Sequence, residues 1–140
     1  MLDERQIARL LEKIHSLFDM KDVEFTFEAG RPDCITAEKL KALGNGGVTR
    51  ISINTQTANN EVLASVGRKH TFEDYLNCMN LARKAGISCI NTDLIAGLPG
   101  ESAESFRDSV RKVCEVEPEN VTVHAFTLKR SSEYKTAHMA

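Results

Sequence analysis

Apolar residues Ile7, Leu10, Leu11, Ile14, Leu17 and Phe18 recur at i, i+3, i+4 and i+7 after Asp3, a spacing that predicts an amphipathic helix with an N-cap. Beyond it the period changes. Val23–Ala29 (VEFTFEA) reads as a strand, and Thr36 reads as the N-cap of a helix that ends in Gly44-Asn45-Gly46-Gly47, with Ile35 and Leu40 placed as a hydrophobic staple. A second strand is predicted over residues 48–53. Asn59 or Asn60 can cap a short helix through Val66, and Thr71 with Asp74 makes a capping-box start for a longer one, closed by Gly86. Ile87–Ile95 is the third predicted strand. Ser102 caps a helix to about Glu115, Pro118 bars its continuation, and Val121–Leu128 is the fourth strand. Strands alternating with helices predict an α/β fold with parallel strands, either an open doubly wound sheet or a segment of a β/α barrel. The expected domain covers residues 1–130; Ser131–Ala140 loses all periodicity and is expected to fray.

Polar residues interrupt these strands near their carboxyl ends. Asp93 lies inside an apolar run that leads into the turn Gly97-Leu98-Pro99-Gly100, Glu28 lies near the end of the first strand, and Asn54, Thr55 and Gln56 follow the second. An unpartnered buried charge costs several kcal/mol, about 2 or more even for a neutral polar group, so each carboxylate needs a polar partner or solvent. The carboxyl ends of parallel strands are where α/β folds bind ligands, which makes this face a candidate site. Glu28 and Asp93 suit ligand hydroxyls or an ammonium group, with a buried ion pair or a solvated strand end as the plainer alternative. Gln56 offers a donor and an acceptor to a ribose, or is simply a solvated turn residue. Arg68, in Gly67-Arg68-Lys69-His70, can fork onto a carboxylate or phosphate, or stand in solvent. No GxGxxG or Walker-type loop follows any strand, so phosphate-held nucleotide has no local support.

Composition narrows the classes further. With 41% hydrophobic and 27% charged residues, and 18 basic against 20 acidic side chains, the 140-residue chain is an ordinary globular domain of net charge −2. Nothing in it suits a nucleic-acid backbone or an anionic membrane surface. The amino terminus carries no signal-like run and no segment approaches membrane-spanning length, so a cytoplasmic location is expected. Cys34, Cys78, Cys89 and Cys114 match no zinc, thioredoxin or iron–sulfur spacing and are expected to be buried or partly buried free thiols. The four histidines show no metal-ligand spacing.

Five ordered motifs carry a family resemblance: FEAGRPD (Phe27–Asp33), VTRISINTQT (Val48–Thr57), GRKHT (Gly67–Thr71), INTDLIAGLPGE (Ile90–Glu101) and VTVHAFTLKR (Val121–Arg130). Together they resemble the radical SAM enzymes of the oxygen-independent coproporphyrinogen III oxidase family, nearest its coproporphyrinogen dehydrogenase branch. The resemblance implies a partial parallel β/α barrel of four strands that binds S-adenosylmethionine across its carboxyl ends. It places the family's cofactor-binding residues on Glu28, Gln56, Arg68, Asp93 and Ile95, with Ile95 against adenine and the others toward the ribose and amino-acid portions. Thr55 stands where the family's NPQT has proline, and Gln56 stays in register.

The family's CxxxCxxC and GGTP segments are not in this sequence. The 4Fe-4S cluster is therefore expected in a complete protein only, and this chain alone is expected to bind no cluster and to be inactive. The resemblance implies a radical SAM oxidoreductase acting on a tetrapyrrole, in which a 5′-deoxyadenosyl radical abstracts hydrogen from propionates that become vinyl groups. The alternatives are a non-catalytic remnant or regulatory binding module, and a haem-handling relative. Four parallel strands without the rest of a barrel are expected to leave sheet edges and inner-face apolar residues that favour self-association.

Overall fold

The computed structural model describes residues 2–127; the expected tail at 131–140 and the end of the fourth strand at Leu128 lie outside them. The elements are α1 (Glu4–Leu17), β1 (Thr26–Gly30), a 3-10 turn (Pro32–Cys34), α2 (Ala37–Asn45), β2 (Arg50–Gln56), α3 (Asn60–Ser65), α4 (Phe72–Lys84), β3 (Cys89–Ala96), α5 (Ala103–Glu115) and β4 (Asn120–Ala125). All four strands are parallel and lie in the order β1-β2-β3-β4. A doubly wound sheet would reverse its order at a switch point, whereas an unreversed order is an arc of a β/α barrel.

The caps form where the sequence places them. Asp3 and Gln6 complete a capping box on α1, Thr71 and Asp74 another on α4, and Thr36, Asn59 and Ser102 each accept a backbone N–H at the start of α2, α3 and α5. Strand starts differ from expectation for a local reason. The amides of Val48 and Ile87 donate back to the carbonyls of Leu43 and Ala82, at 3.1 and 3.3 Å, closing the preceding helix as a Schellman-type end, so pairing begins two residues later. At β1, Asp22 adopts φ +57°, and only from Phe25 does the backbone meet the next strand, its N–H donating to Thr49 Oγ1 at 3.0 Å.

The core lies on one face of the sheet. Ile51, Ile53, Ile90 and Leu94 bury against Leu11 of α1, Leu40 and Leu43 of α2, Tyr75 and Met79 of α4, and Val113 of α5. Tyr75 is fully buried and its hydroxyl meets Thr92 Oγ1 at 2.9 Å, so the one polar atom of this aromatic is satisfied. Among the described residues, no helix is long and apolar enough to cross a membrane.

The expectation of stranded apolar residues on the inner face needs correction. Val121 and Val123 are exposed, 52% for Val123, but Val123 pairs with Leu94 and so lies on the helix side of the sheet. Leu17 and Phe18 are also exposed, Phe18 at 63%. Among the described residues β4 has no strand on its outer edge, and an apolar unpaired edge favours association. We expect light scattering after gel filtration to show a mass that rises with concentration, and Val123→Lys to lower it; a concentration-independent monomer for the parent chain would refute this.

Candidate functional site

Side chains alternate across a strand, so burial of Ile51, Ile53, Ile90 and Leu94 turns Ser52, Asn91 and Asp93 to the opposite face. Register extends that face sideways: Glu28 pairs with Ser52, Ser52 with Asn91, Asp93 with Thr122 and Ile95 with His124. Parallel strands buried on both faces usually read as continuous apolar runs. Here the inner face is polar, as a surface that meets a hydrophilic ligand must be.

Asp93 is the centre of this surface. Its side chain is only 13% exposed; Oδ2 accepts from Ser52 Oγ at 3.1 Å, Oδ1 accepts from Asn91 Nδ2 at 2.7 Å, and His124 Nε2 stands 3.8 Å from Oδ1. Asn91 Nδ2 also donates to Ser52 Oγ at 2.8 Å, and Asn91 Oδ1 accepts from Thr122 Oγ1 at 2.9 Å. The partly buried carboxylate is thus met by two donors, which offsets its desolvation and leaves acceptor capacity for a ligand. Sequence reasoning found Asp93 but not Ser52, Asn91, Thr122 or His124. The signal was the polar–apolar alternation in RISIN and the polar run Asn91-Thr92-Asp93 in strands that the fold makes parallel.

The other expected residues lie at the same end of the sheet. Glu28 is exposed on β1, which excludes a buried ion pair and leaves its carboxylate accessible at the strand end. Gln56 is buried, not solvated; a bulge between Ile53 and Gln56 sets it opposite Leu94, and its backbone takes φ +69°. Non-glycine residues in that region are strained and cluster at functional sites. Arg68 follows Gly67 in the loop between α3 and α4, and its own N–H donates to Leu63 O at 2.9 Å. Burial holds its guanidinium below the ordinary value, the like charge of Arg31 adds to this, and Asp33 opposes it. Ile95 is half-buried on the inner face next to His124.

Glu101 joins two of the site's loops. Its Oε1 accepts from Thr57 Oγ1, which also meets Ser109 Oγ at 3.0 Å, while Ser109 Oγ accepts from the Ala58 amide at 3.0 Å. The turn after β3 and the loop after β2 are therefore held in one frame, with Gly97 at φ +81° and Gly100 at φ +79° allowing the turn between Ala96 and Glu101.

Among the described residues no three His, Cys, Asp or Glu side chains come together as a metal site. The four cysteines are free, and Cys114 is exposed, against the expectation of burial, because Val110 and Val113 take the core face of α5. Cys78 is buried and donates to Pro32 O at 3.2 Å; burial, then the negative charges of Asp74 and Asp33, push its thiol up to about 11. At pH 8 only about 0.1% of it is thiolate. We expect iodoacetamide at pH 8 to label Cys114 and to spare Cys78 until the chain unfolds, as mass spectrometry of tryptic peptides will show; equal native labelling would refute the burial.

Comparison with known proteins agrees with this geometry. The sequence model of the Radical SAM superfamily matches residues 2–113. The chain is 46% identical over 123 residues to the oxygen-independent coproporphyrinogen-III oxidase-like protein HemZ of Bacillus subtilis, covering 87% of this chain and 25% of HemZ. It is 35% identical to the heme chaperone HemW of Lactococcus lactis, covering 92% of this chain and 34% of HemW. The structure of coproporphyrinogen III oxidase (HemN) from Escherichia coli, a radical SAM enzyme, superposes with a TM-score of 0.81 at 32% identity, over 90% of this chain and 29% of HemN. The chain thus spans about a quarter to a third of these relatives' length. With four parallel strands in barrel order and a polar inner face at their carboxyl ends, the chain belongs to the radical SAM superfamily.

Proposed function

We propose that this chain is the S-adenosylmethionine-binding part of a radical SAM protein of the coproporphyrinogen III dehydrogenase kind, working in the cytoplasm. The observation that carries the reading is Asp93: a nearly buried carboxylate, held by Ser52 and Asn91 at the carboxyl end of a central strand. The donor set fits the cofactor. Glu28 and Asp93 supply carboxylate acceptors for ribose hydroxyls or the ammonium group, Gln56 an amide, Arg68 a guanidinium for the carboxylate, and Ile95 an apolar surface for adenine. Bound S-adenosylmethionine supplies this superfamily's hydrogen-abstracting chemistry. The residues of this chain would bind and orient the cofactor.

A 4Fe-4S cluster does not fit the residues described. Cys34, Cys78, Cys89 and Cys114 lie on different elements, with Cys78 buried and Cys114 exposed, so no step is assigned to such a group within this chain. The tetrapyrrole substrate, with propionates that become vinyls, is proposed for the complete protein on the strength of the 46% identical HemZ relative. A haem-handling role is the second reading, favoured by the likeness to HemW.

Calorimetric titration separates the two. Saturable one-to-one binding of S-adenosylmethionine, with no stoichiometric haem binding in a parallel optical titration, is expected. Tight haem binding without measurable affinity for S-adenosylmethionine would replace the first reading with the second.

A further inference from the structure

The end of β2 closes on a three-residue turn in which the Thr57 N–H donates to the Thr55 carbonyl at 2.9 Å, with Gln56 between them at φ +69°. Turns closed from i to i+2 around a positive φ are rare and strained, so something outside the turn must hold it. The Thr55 carbonyl takes a second donor, the Nε2–H of His70 at 3.2 Å. His70 is 2% exposed, and its Nδ1 is buried without a hydrogen-bond partner. A residue chosen only to fill this space would be apolar, or would have both nitrogens met. The imidazole makes one polar contact, and that contact is with the strained turn. The segment carrying it is fixed at both ends: Arg68 bonds back to Leu63, and Thr71 starts α4 with a capping box.

We propose that His70 is a positioning residue for the carboxyl end of β2. Its Nε2–H holds the Thr55 carbonyl so that Gln56 stays in the left-handed conformation and in its buried place, and it ties the Arg68 loop to the same strand end. The functional half of this inference rests on the reading of Gln56 as a cofactor-binding residue; the structural half does not.

The test uses the whole chain and two variants, His70→Gln, which keeps an N–H donor, and His70→Leu, which fills the space without one. In His70→Leu, residue-resolved hydrogen exchange at the Thr57 amide is expected to speed by about tenfold more than at Ile53 and Ile90, and His70→Gln to recover most of the protection. S-adenosylmethionine affinity should fall about five- to twentyfold in His70→Leu, yet adding His70→Leu to Gln56→Ala should change it less than about twofold, because the two act as one unit. Should His70→Leu fail to fold, His70→Asn, whose amide is too short for the contact, takes its place. Exchange at Thr57 that merely tracks the core strands overturns the proposal, as do fully additive losses with Gln56→Ala. If the parent chain binds no S-adenosylmethionine, the cofactor reading of the site fails, and the exchange comparison alone decides the role of His70.

Discussion

Asp93→Ala is expected to weaken S-adenosylmethionine binding by about 10- to 150-fold, the equivalent of one charge-assisted hydrogen bond at about 1.5–3 kcal/mol. The loss should be much larger than any loss of stability. Ser52 and Asn91, the donors that lose their acceptor, are buried but already bond to each other at 2.8 Å, and truncating a carboxylate that itself reaches solvent lets water in to take its place. The melting temperature should move by only a few degrees, corresponding to about 1 kcal/mol or less. Asp93→Asn is not a quiet control, because Ser52 and Asn91 both donate to the carboxylate whereas an amide presents one oxygen and one donor. It should lose nearly as much affinity as Asp93→Ala. Calorimetric titration with a parallel thermal melt checks both; unchanged affinity in Asp93→Ala would remove Asp93 from the cofactor site.

One residue along the same strand, the balance reverses. Leu94 is fully buried on the helix-covered face, paired through the backbone with Gln56 on one side and Val123 on the other. Leu94→Ala should cost about 2–5 kcal/mol through lost burial and the cavity left behind. Typical domains are stable by about 5–15 kcal/mol, and a sheet with exposed edges belongs toward the low end. Much of the Leu94→Ala chain should therefore be unfolded at 37 °C. Ile95→Ala, on the half-buried inner face, should cost less than half as much stability while weakening cofactor binding. Urea denaturation followed by circular dichroism separates the two; equal destabilisation would mean that β3 is packed alike on both faces and that the inner side is not a ligand surface.

What could be read from the sequence follows from how local each signal is. Caps depend on residues three positions apart, so Thr71 with Asp74, and Asn59 and Ser102, were legible. Asp93 was legible because a carboxylate in an apolar run violates the pattern around it. Its partners were not, since the bonds from Ser52 and Thr122 span 41 positions to Asp93 and 31 to Asn91, and depend on strand register. Strand starts were placed too early because Val48 and Ile87 look like strand residues yet close helices. The burial of Gln56 rests on a bulge and a left-handed turn that no residue type at that position announces. Barrel and doubly wound sheet share the same alternation of elements, and only the unreversed strand order tells them apart.

The most direct test of the central claim, that the carboxyl ends of β1, β2 and β3 form a cofactor site, is amide chemical-shift mapping of the chain titrated with S-adenosylmethionine. Saturable shifts should concentrate at Glu28–Arg31, Gln56–Ala58, Arg68 and Asp93–Gly97, and in Asp93→Ala should need about 10- to 150-fold more ligand to reach the same extent. Shifts confined to the amino ends of the strands, around Arg50 and Cys89, or spread evenly over the surface without saturation, would contradict it.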